Sequence, residues 1–439
     1  MINDKYDMKI FTTILTGLML GVASGHAQEV AERHYEVNLE NDAVSRFMSE
    51  VTYAPGDSSV VKNYIIEGNN TLHHPRPVVI DLPETTADTV SVVCYVASTM
   101  SDSLVFRVPT AAGRAALYNL IPQRDYAYEV CVGDSVLQQG EIHTKGQVRM
   151  IRVDGSVINV RDLGGWLTSD GKQRIKYGKL FRGSELNWQY EATPEGLDTL
   201  RMLGVGAEID MRAHWEAVDK SDGHPETEGV SVFGFQNAAH TPSGEVATYL
   251  YTNDSGQLPT NMNIYLWQYK WRQQFQFIVN NLRCNRAIYC HCIQGKDRTG
   301  YLSLLLEGLL GVGYSDMLKD YELTHFILNA TSKKSQIDEV MAYIEGLNGA
   351  TLRDKFNTYF TTKIRASQAD IDYFREVMLE DVDEDNPGPG TGVHSVGVSA
   401  IPAEGYYDLS GRRLSGEPKR GVYLKVDGHG GYRKMINDR

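Results

Sequence analysis

The ten residues from His291 to Gly300, HCIQGKDRTG, constrain this chain more than any other stretch. Cys292 and Arg298 are separated by five residues, and Thr299 follows at once. Just upstream, Ala287-Ile288-Tyr289-Cys290 is a short apolar and aromatic run that reads as a buried strand. Just downstream, Leu302, Leu305, Leu306 and Leu309 recur at helical spacing between Tyr301 and Val312. The ten residues then form a loop between a strand and a helix N-terminus. At such a place successive backbone N–H groups and the positive end of the helix dipole favour an anion.

The residue types in the loop suit phosphate-ester chemistry. A thiol in that field loses its proton more easily than a free cysteine, whose pKa is about 8.5. Cys292 is therefore the candidate nucleophile. The planar guanidinium of Arg298 can hold two phosphate oxygens and gains as charge moves onto them in the transition state. Ile293, Gln294, Gly295, Lys296, Thr299 and Gly300 are expected to line the phosphate, with Lys296 adding positive charge and the Thr299 hydroxyl serving the sulfur. His291 is expected to orient the loop rather than to transfer protons. This chemistry calls for no metal and no cofactor.

The motif resembles the signature of the cysteine-dependent protein tyrosine phosphatase superfamily, and its GKDR core is similar to bacterial tyrosine and lipid phosphatases of the dual-specificity type. Two distant blocks extend the resemblance, Asn159-Val160-Arg161-Asp162-Leu163-Gly164-Gly165 and Leu180-Phe181-Arg182-Gly183-Ser184-Glu185-Leu186. Asp210-Met211-Arg212, Asp320 to Thr324 and Ser367 to Leu379 complete it across residues 145–380. The charged and glycine residues of the two early blocks are read as fixing turns and loop contacts. The resemblance implies an α/β catalytic domain with a central, mostly parallel sheet flanked by helices. Thr193 and Pro194 open a helix with Leu197, Leu200 and Leu203 on one face, Gly206 to Met211 reads as a strand, and Trp267, Trp271, Phe275, Ile278 and Leu282 predict an amphipathic helix that feeds the catalytic strand.

The rest of the 439 residues divides by composition. Residues 1–27 look like a secretory signal peptide, with Lys5 and Lys9 before an apolar stretch from Ile10 to Val22 and small residues at Gly25 and Ala27. No later segment is apolar enough to span a membrane, so an exported protein is expected: periplasmic, secreted or held at the cell surface. Residues 28–73 are polar, with one helix near Asn41 to Val51. Residues 74–144 carry short alternating strands, read as a small all-β sandwich similar to fibronectin type III or immunoglobulin-like domains. Residues 381–400 form an acidic, Pro/Gly-rich linker. Residues 401–439 are similar to C-terminal sorting modules of the type IX secretion system, and otherwise read as a small accessory β-module through which surface attachment is possible. The formal net charge of -13 argues against a nucleic-acid partner. Of five cysteines, Cys94 and Cys131 are spaced to bridge two strands, although small buried thiols are the simpler reading.

One part of the pattern is missing. The resemblance implies an acid on a loop after a strand matching Val230 to Phe235, but Gln236-Asn237-Ala238-Ala239-His240 follows and the next carboxylate is Glu245. Asp297, next to Arg298, is the favoured replacement, with holding Arg298 by a salt bridge as its other reading. His240, with an ordinary pKa of about 6.5, is the alternative acid, and Glu245 or Asp254 on a mobile loop are further candidates. The expected function is hydrolysis of phosphate monoesters, phosphotyrosine first and phosphoserine or phosphothreonine next, through a cysteinyl phosphate. The partners would be a phosphorylated protein or an inositol phosphate. The first alternative is a phosphoinositide or inositol-polyphosphate phosphatase; the second is a decayed domain that binds phosphate without turnover.

Overall fold

The computed structural model describes residues 30–65, 75–96, 103–212, 231–235, 246–252, 268–328 and 332–382, together with three short strands near the C-terminus. Two compact units emerge, Met1–Pro389 and Gly390–Arg439.

The first unit begins with a β-rich part. Strands β1 (Ala31–Asn38), β2 (Val78–Asp81), β3 (Thr89–Val96), β4 (Ser103–Pro109), β5 (Arg114–Leu117), β6 (Asp125–Val132) and β7 (Ser135–Lys145) form two sheets. One has the order β1-β7-β6-β3-β4 and the other pairs β2 with β5. Alternation along the strands turns Val90, Val92, Cys94, Tyr126, Tyr128 and Val130 inward, where they share one core with Val78, Ile80, Ala115 and Leu117 of the second sheet. Five of these seven strands lie where the sequence pattern puts them. β5 and β1 do not: β5 is a short run of small residues, and β1 is mostly polar because it is a solvent-facing edge, pairing parallel to β7. Cys94 lies on the core face and Cys131 on the opposite face of adjacent strands, so both are free thiols.

The 28–73 stretch therefore contributes to both parts of this unit. After β1, helix α1 (Asp42–Glu50) is capped by the Asn41 side chain, which accepts from the Val44 N–H. Its Ala43, Val44 and Phe47 enter the same core as the helices that follow the 291–300 loop. Glu40, itself buried, accepts hydrogen bonds from the Gln147 and Val148 amides at 2.7 and 2.8 Å. Arg174 and Arg124 both reach Glu380, which ties the β-rich part to the end of the second part.

That second part is α/β. Strands β8 (Arg161–Asp162), β9 (Gln173–Ile175), β10 (Leu180–Gly183), β11 (Val205–Asp210), β12 (Tyr249–Tyr251) and β13 (Ala287–His291) precede a short β14 (Leu379–Asp381). The central sheet has the order β12-β11-β13-β10-β8, parallel throughout except for β8 at one edge. Every residue of β13 is buried, as suits a strand covered on both faces. Helix α2 (Pro194–Met202), capped by Thr193, and α3 (Gln268–Arg283) precede it, matching the sequence pattern. After the loop come α4 (Asp297–Leu310), α5 (Tyr314–Leu323), α6 (Lys334–Glu345), α7 (Leu352–Tyr359) and α8 (Gln368–Met378). α4 is apolar nearly all round and almost wholly buried, so it runs through the middle of the core and fixes where the loop points. Residues 231–235 form a turn, although their alternating apolar residues read as a strand; Phe233 and Phe235 stack on each other instead of pairing into the sheet.

The second unit contains β15 (Gly405–Tyr407), β16 (Gly421–Val426) and β17 (Tyr432–Asn437) in one antiparallel sheet. Among the described residues no helix is long and apolar enough to cross a membrane. Residues 1–27 lie outside the described residues.

Candidate active site

The 292–300 loop sits at the C-terminal end of β13, the position where ligands gather in open parallel sheets. Its shape is set from behind by groups that capture its carbonyls in turn. The Cys292 carbonyl lies 3.2 Å from His291 Nδ1, and the Glu185 amide donates to Ile293 O at 2.9 Å. Asn159 Nδ2 donates to Gln294 O at 2.9 Å, and Arg182 Nη2 donates to Gly295 O at 2.8 Å and to Lys296 O at 3.4 Å. Every peptide bond here is trans, so turning these carbonyls outward turns the following N–H groups to the other side. Each following N–H then points away from these partners, the orientation an oxyanion site needs. Gly295 is irreplaceable in this wrap: its φ is +64°, and a Cβ would lie 2.2 Å from the Gly183 carbonyl oxygen.

The two early sequence blocks supply this backing. Asn159 is oriented by Arg161, whose guanidinium also reaches the Asp320 carboxylate at 2.9 Å. Arg182 makes an ion pair with the other Asp320 oxygen. All three charged groups are buried. Burial lowers the Arg161 guanidinium to about 10, with repulsion from Arg182 adding to it. Burial would raise the Asp320 carboxyl, but the two arginines outweigh it and hold it below its ordinary value.

A second buried network orients the motif histidine. His291 Nε2 is 2.9 Å from Glu208 Oε1, and its Nδ1 lies 4.0 Å from Asp210. Burial alone would lower the imidazolium's pKa, but the Asp210 charge and the Glu208 hydrogen bond raise it above 6.5. Both ring nitrogens face acceptors, Nδ1 the Cys292 carbonyl and Nε2 the Glu208 carboxylate. Asp210 is itself bound by Arg212, which also reaches Glu185 and Asn187. At the end of β11 the Met211 carbonyl accepts from Arg298 Nη1 at 2.8 Å, which anchors that guanidinium beside the loop.

Cys292, Lys296, Arg298 and Thr299 are all buried at this site. The Thr299 hydroxyl has no hydrogen-bond partner among the described residues. Burial, with Lys333 nearby, lowers the Lys296 ammonium against the pull of Asp297. Asp297 begins α4; its Oδ1 accepts from the Tyr321 hydroxyl at 2.9 Å and its Oδ2 from Lys333 Nζ at 2.7 Å. His240, Glu245 and Asp254 lie outside the described residues. Among the described residues no group of histidine, cysteine, aspartate and glutamate side chains could hold a metal ion.

A family model described as the tyrosine phosphatase family matches residues 152–380. The chain belongs to the tyrosine phosphatase family. A protein of Cupriavidus necator named as a tyrosine-protein phosphatase is 27% identical over 244 residues, covering 52% of this chain and 84% of that protein. The triple specificity protein phosphatase PtpB of Mycobacterium tuberculosis is 28% identical over 187 residues, covering 37% of this chain and 65% of that protein. The chain is therefore a phosphatase of tyrosine-phosphatase type, and the matched span contains both early blocks and the 291–300 loop. Sequence reasoning named the loop and placed Asp210 in a block of the resemblance, but it did not name Glu208 or Lys333. A carboxylate inside an otherwise apolar buried strand was the available signal for Glu208; nothing in the sequence pointed to Lys333, which the fold brings to Asp297 from a later segment.

Proposed function

We propose that this phosphatase hydrolyses phosphate monoesters, phosphotyrosine first, through a cysteinyl phosphate on Cys292. The observation that carries the reading is the capture of carbonyls 292–296 by surrounding groups, which turns the following trans amides away from those partners and frees them for an anion beside Cys292 and Arg298. In the first step Cys292 Sγ attacks phosphorus, the ester P–O bond breaks, and the leaving oxygen takes a proton. Arg298 and the amides hold the equatorial oxygens. In the second step water attacks phosphorus, the S–P bond breaks and orthophosphate leaves, with the Thr299 hydroxyl available to the departing sulfur. Asp297 is the acid and then the base in this reading, held in place by Tyr321 and Lys333.

Lys296 and Lys333 beside the loop favour a second reading, in which inositol phosphates are the substrates. Both readings are separated by one panel. Phosphate release is measured from an aryl phosphate, phosphotyrosine and phosphoserine peptides and inositol hexakisphosphate, with Cys292→Ser alongside. Turnover lost in the variant supports the thiolate mechanism, and the ranking of substrates decides between protein and inositide. Turnover that survives in Cys292→Ser overturns it. Export by the N-terminal segment and an immunoglobulin or fibronectin type III-like identity for the β-rich part belong to the same proposal; N-terminal sequencing of the mature protein tests the first.

A further inference from the structure

Glu307 lies on α4 in the phosphatase core with 0% exposure. Neither of its carboxylate oxygens has a hydrogen-bond partner among the described residues. The charged groups that face it are Arg161 from β8, Arg182 from β10, and Asp320 and Asp316 from α5. Asp316 is paired with Lys319 at 3.3 Å, and Asp320 is shared by the two arginines. Arg182 Nε is also buried without a partner. A buried ionised carboxylate is costly unless it is paired and hydrogen-bonded, and neither Glu307 oxygen is bonded to Arg182 or to any other described group.

We propose that Glu307 is an uncharged carboxylic acid in the folded enzyme at neutral pH, so that the buried cluster behind the phosphate loop carries one net positive charge. Burial, with the Asp320 charge adding to it, pushes the Glu307 carboxyl well above its ordinary range against the pull of Arg182 and Arg161. Arg182 is the arm that presents the excess charge to the loop, through the Gly295 and Lys296 carbonyls. This second half rests on the reading that the loop binds phosphate. A positive charge behind the cradle favours an oxyanion in front of it.

The full chain and its Glu307→Gln variant are unfolded in urea between about pH 5 and pH 7, with Glu307→Met as the second variant should the amide fold poorly. A folded state that keeps a proton the unfolded chain releases loses stability as pH rises. The unfolding constant of the parent relative to the variant is therefore expected to rise about tenfold per pH unit. A constant ratio overturns the proposal. Affinity for inorganic phosphate at neutral pH is expected to be the same in parent and Glu307→Gln. A tightening of about tenfold, the size for removing a unit charge roughly 10 Å away at an effective dielectric of about 20, would mean that Glu307 was ionised. If neither protein binds phosphate, the loop reading fails while the unfolding series still decides the state of Glu307.

Discussion

Replacing Arg182 by Met separates the two tasks of that side chain. It removes one of two partners of the Asp320 carboxylate and releases the Gly295 carbonyl, which now accepts from Nη2 at 2.8 Å. Breaking a buried ion pair costs about 3–5 kcal/mol. Asp320 keeps Arg161 at 2.9 Å, so about 3 kcal/mol is the expected loss of unfolding free energy. Losing a hydrogen bond from a charged donor is worth about 1.5–3 kcal/mol, and here it loosens the loop that must meet the transition state. That corresponds to about 10- to 100-fold in kcat/KM. The assay is urea unfolding followed by tryptophan fluorescence, paired with aryl phosphate kinetics well below the transition. A variant that loses the expected stability yet keeps parental kcat/KM would refute the claim that Arg182 shapes the cradle, and would leave it a core ion pair only.

Gly295→Ala must adopt a left-handed φ and place a methyl against the Gly183 carbonyl, a strain of at least about 1–3 kcal/mol; activity is expected to collapse while far-ultraviolet circular dichroism is retained. His291 has its pKa raised in the fold, so its stabilising contribution is full below about pH 6.5 and is lost as pH rises through the folded value. Unfolding free energy should fall over that window, and Glu208→Gln should flatten the fall. Glu40→Ala leaves the Gln147 and Val148 amides without their acceptor and should cost about 2 kcal/mol in urea unfolding, although Glu40 is remote from the loop in sequence. Parental stability in that variant would mean that water replaces the carboxylate.

Much of the phosphatase part was legible because its signals are local. A buried strand, a glycine-containing loop and a leucine-rich helix follow one another without a break from Ala287 to Leu310, and each has its own periodicity. The two early blocks were legible as turn and contact residues, and Asn159 and Arg182 do hold the loop from behind. What stayed hidden depends on chain crossings. β1 is mostly polar because it is an edge strand, and α1 looks like an isolated helix until its apolar face meets the core beyond the catalytic loop. The strand expected at 230–235 has the right alternation, but Gly234 at φ +74° donates its N–H to the Ser231 carbonyl at 3.1 Å and closes a turn there. Lys333 and Tyr321 reach Asp297 only after α4 and α5 fold back on each other, so no spacing rule could pair them. Asp297 as a salt-bridge partner of Arg298 was the other sequence reading; the hydrogen bonds of its carboxylate go to Tyr321 and Lys333.

In the proposed mechanism Cys292 carries the phosphoryl group between the two steps. Rapid acid quench during turnover of an aryl phosphate, followed by mass spectrometry of the peptide that contains residues 287–298, tests it directly. The expected result is a phosphoryl adduct on Cys292 that forms within the first turnover, decays when substrate is exhausted and is absent from Cys292→Ser. Steady turnover with an unmodified Cys292, or an adduct on another residue, would contradict it.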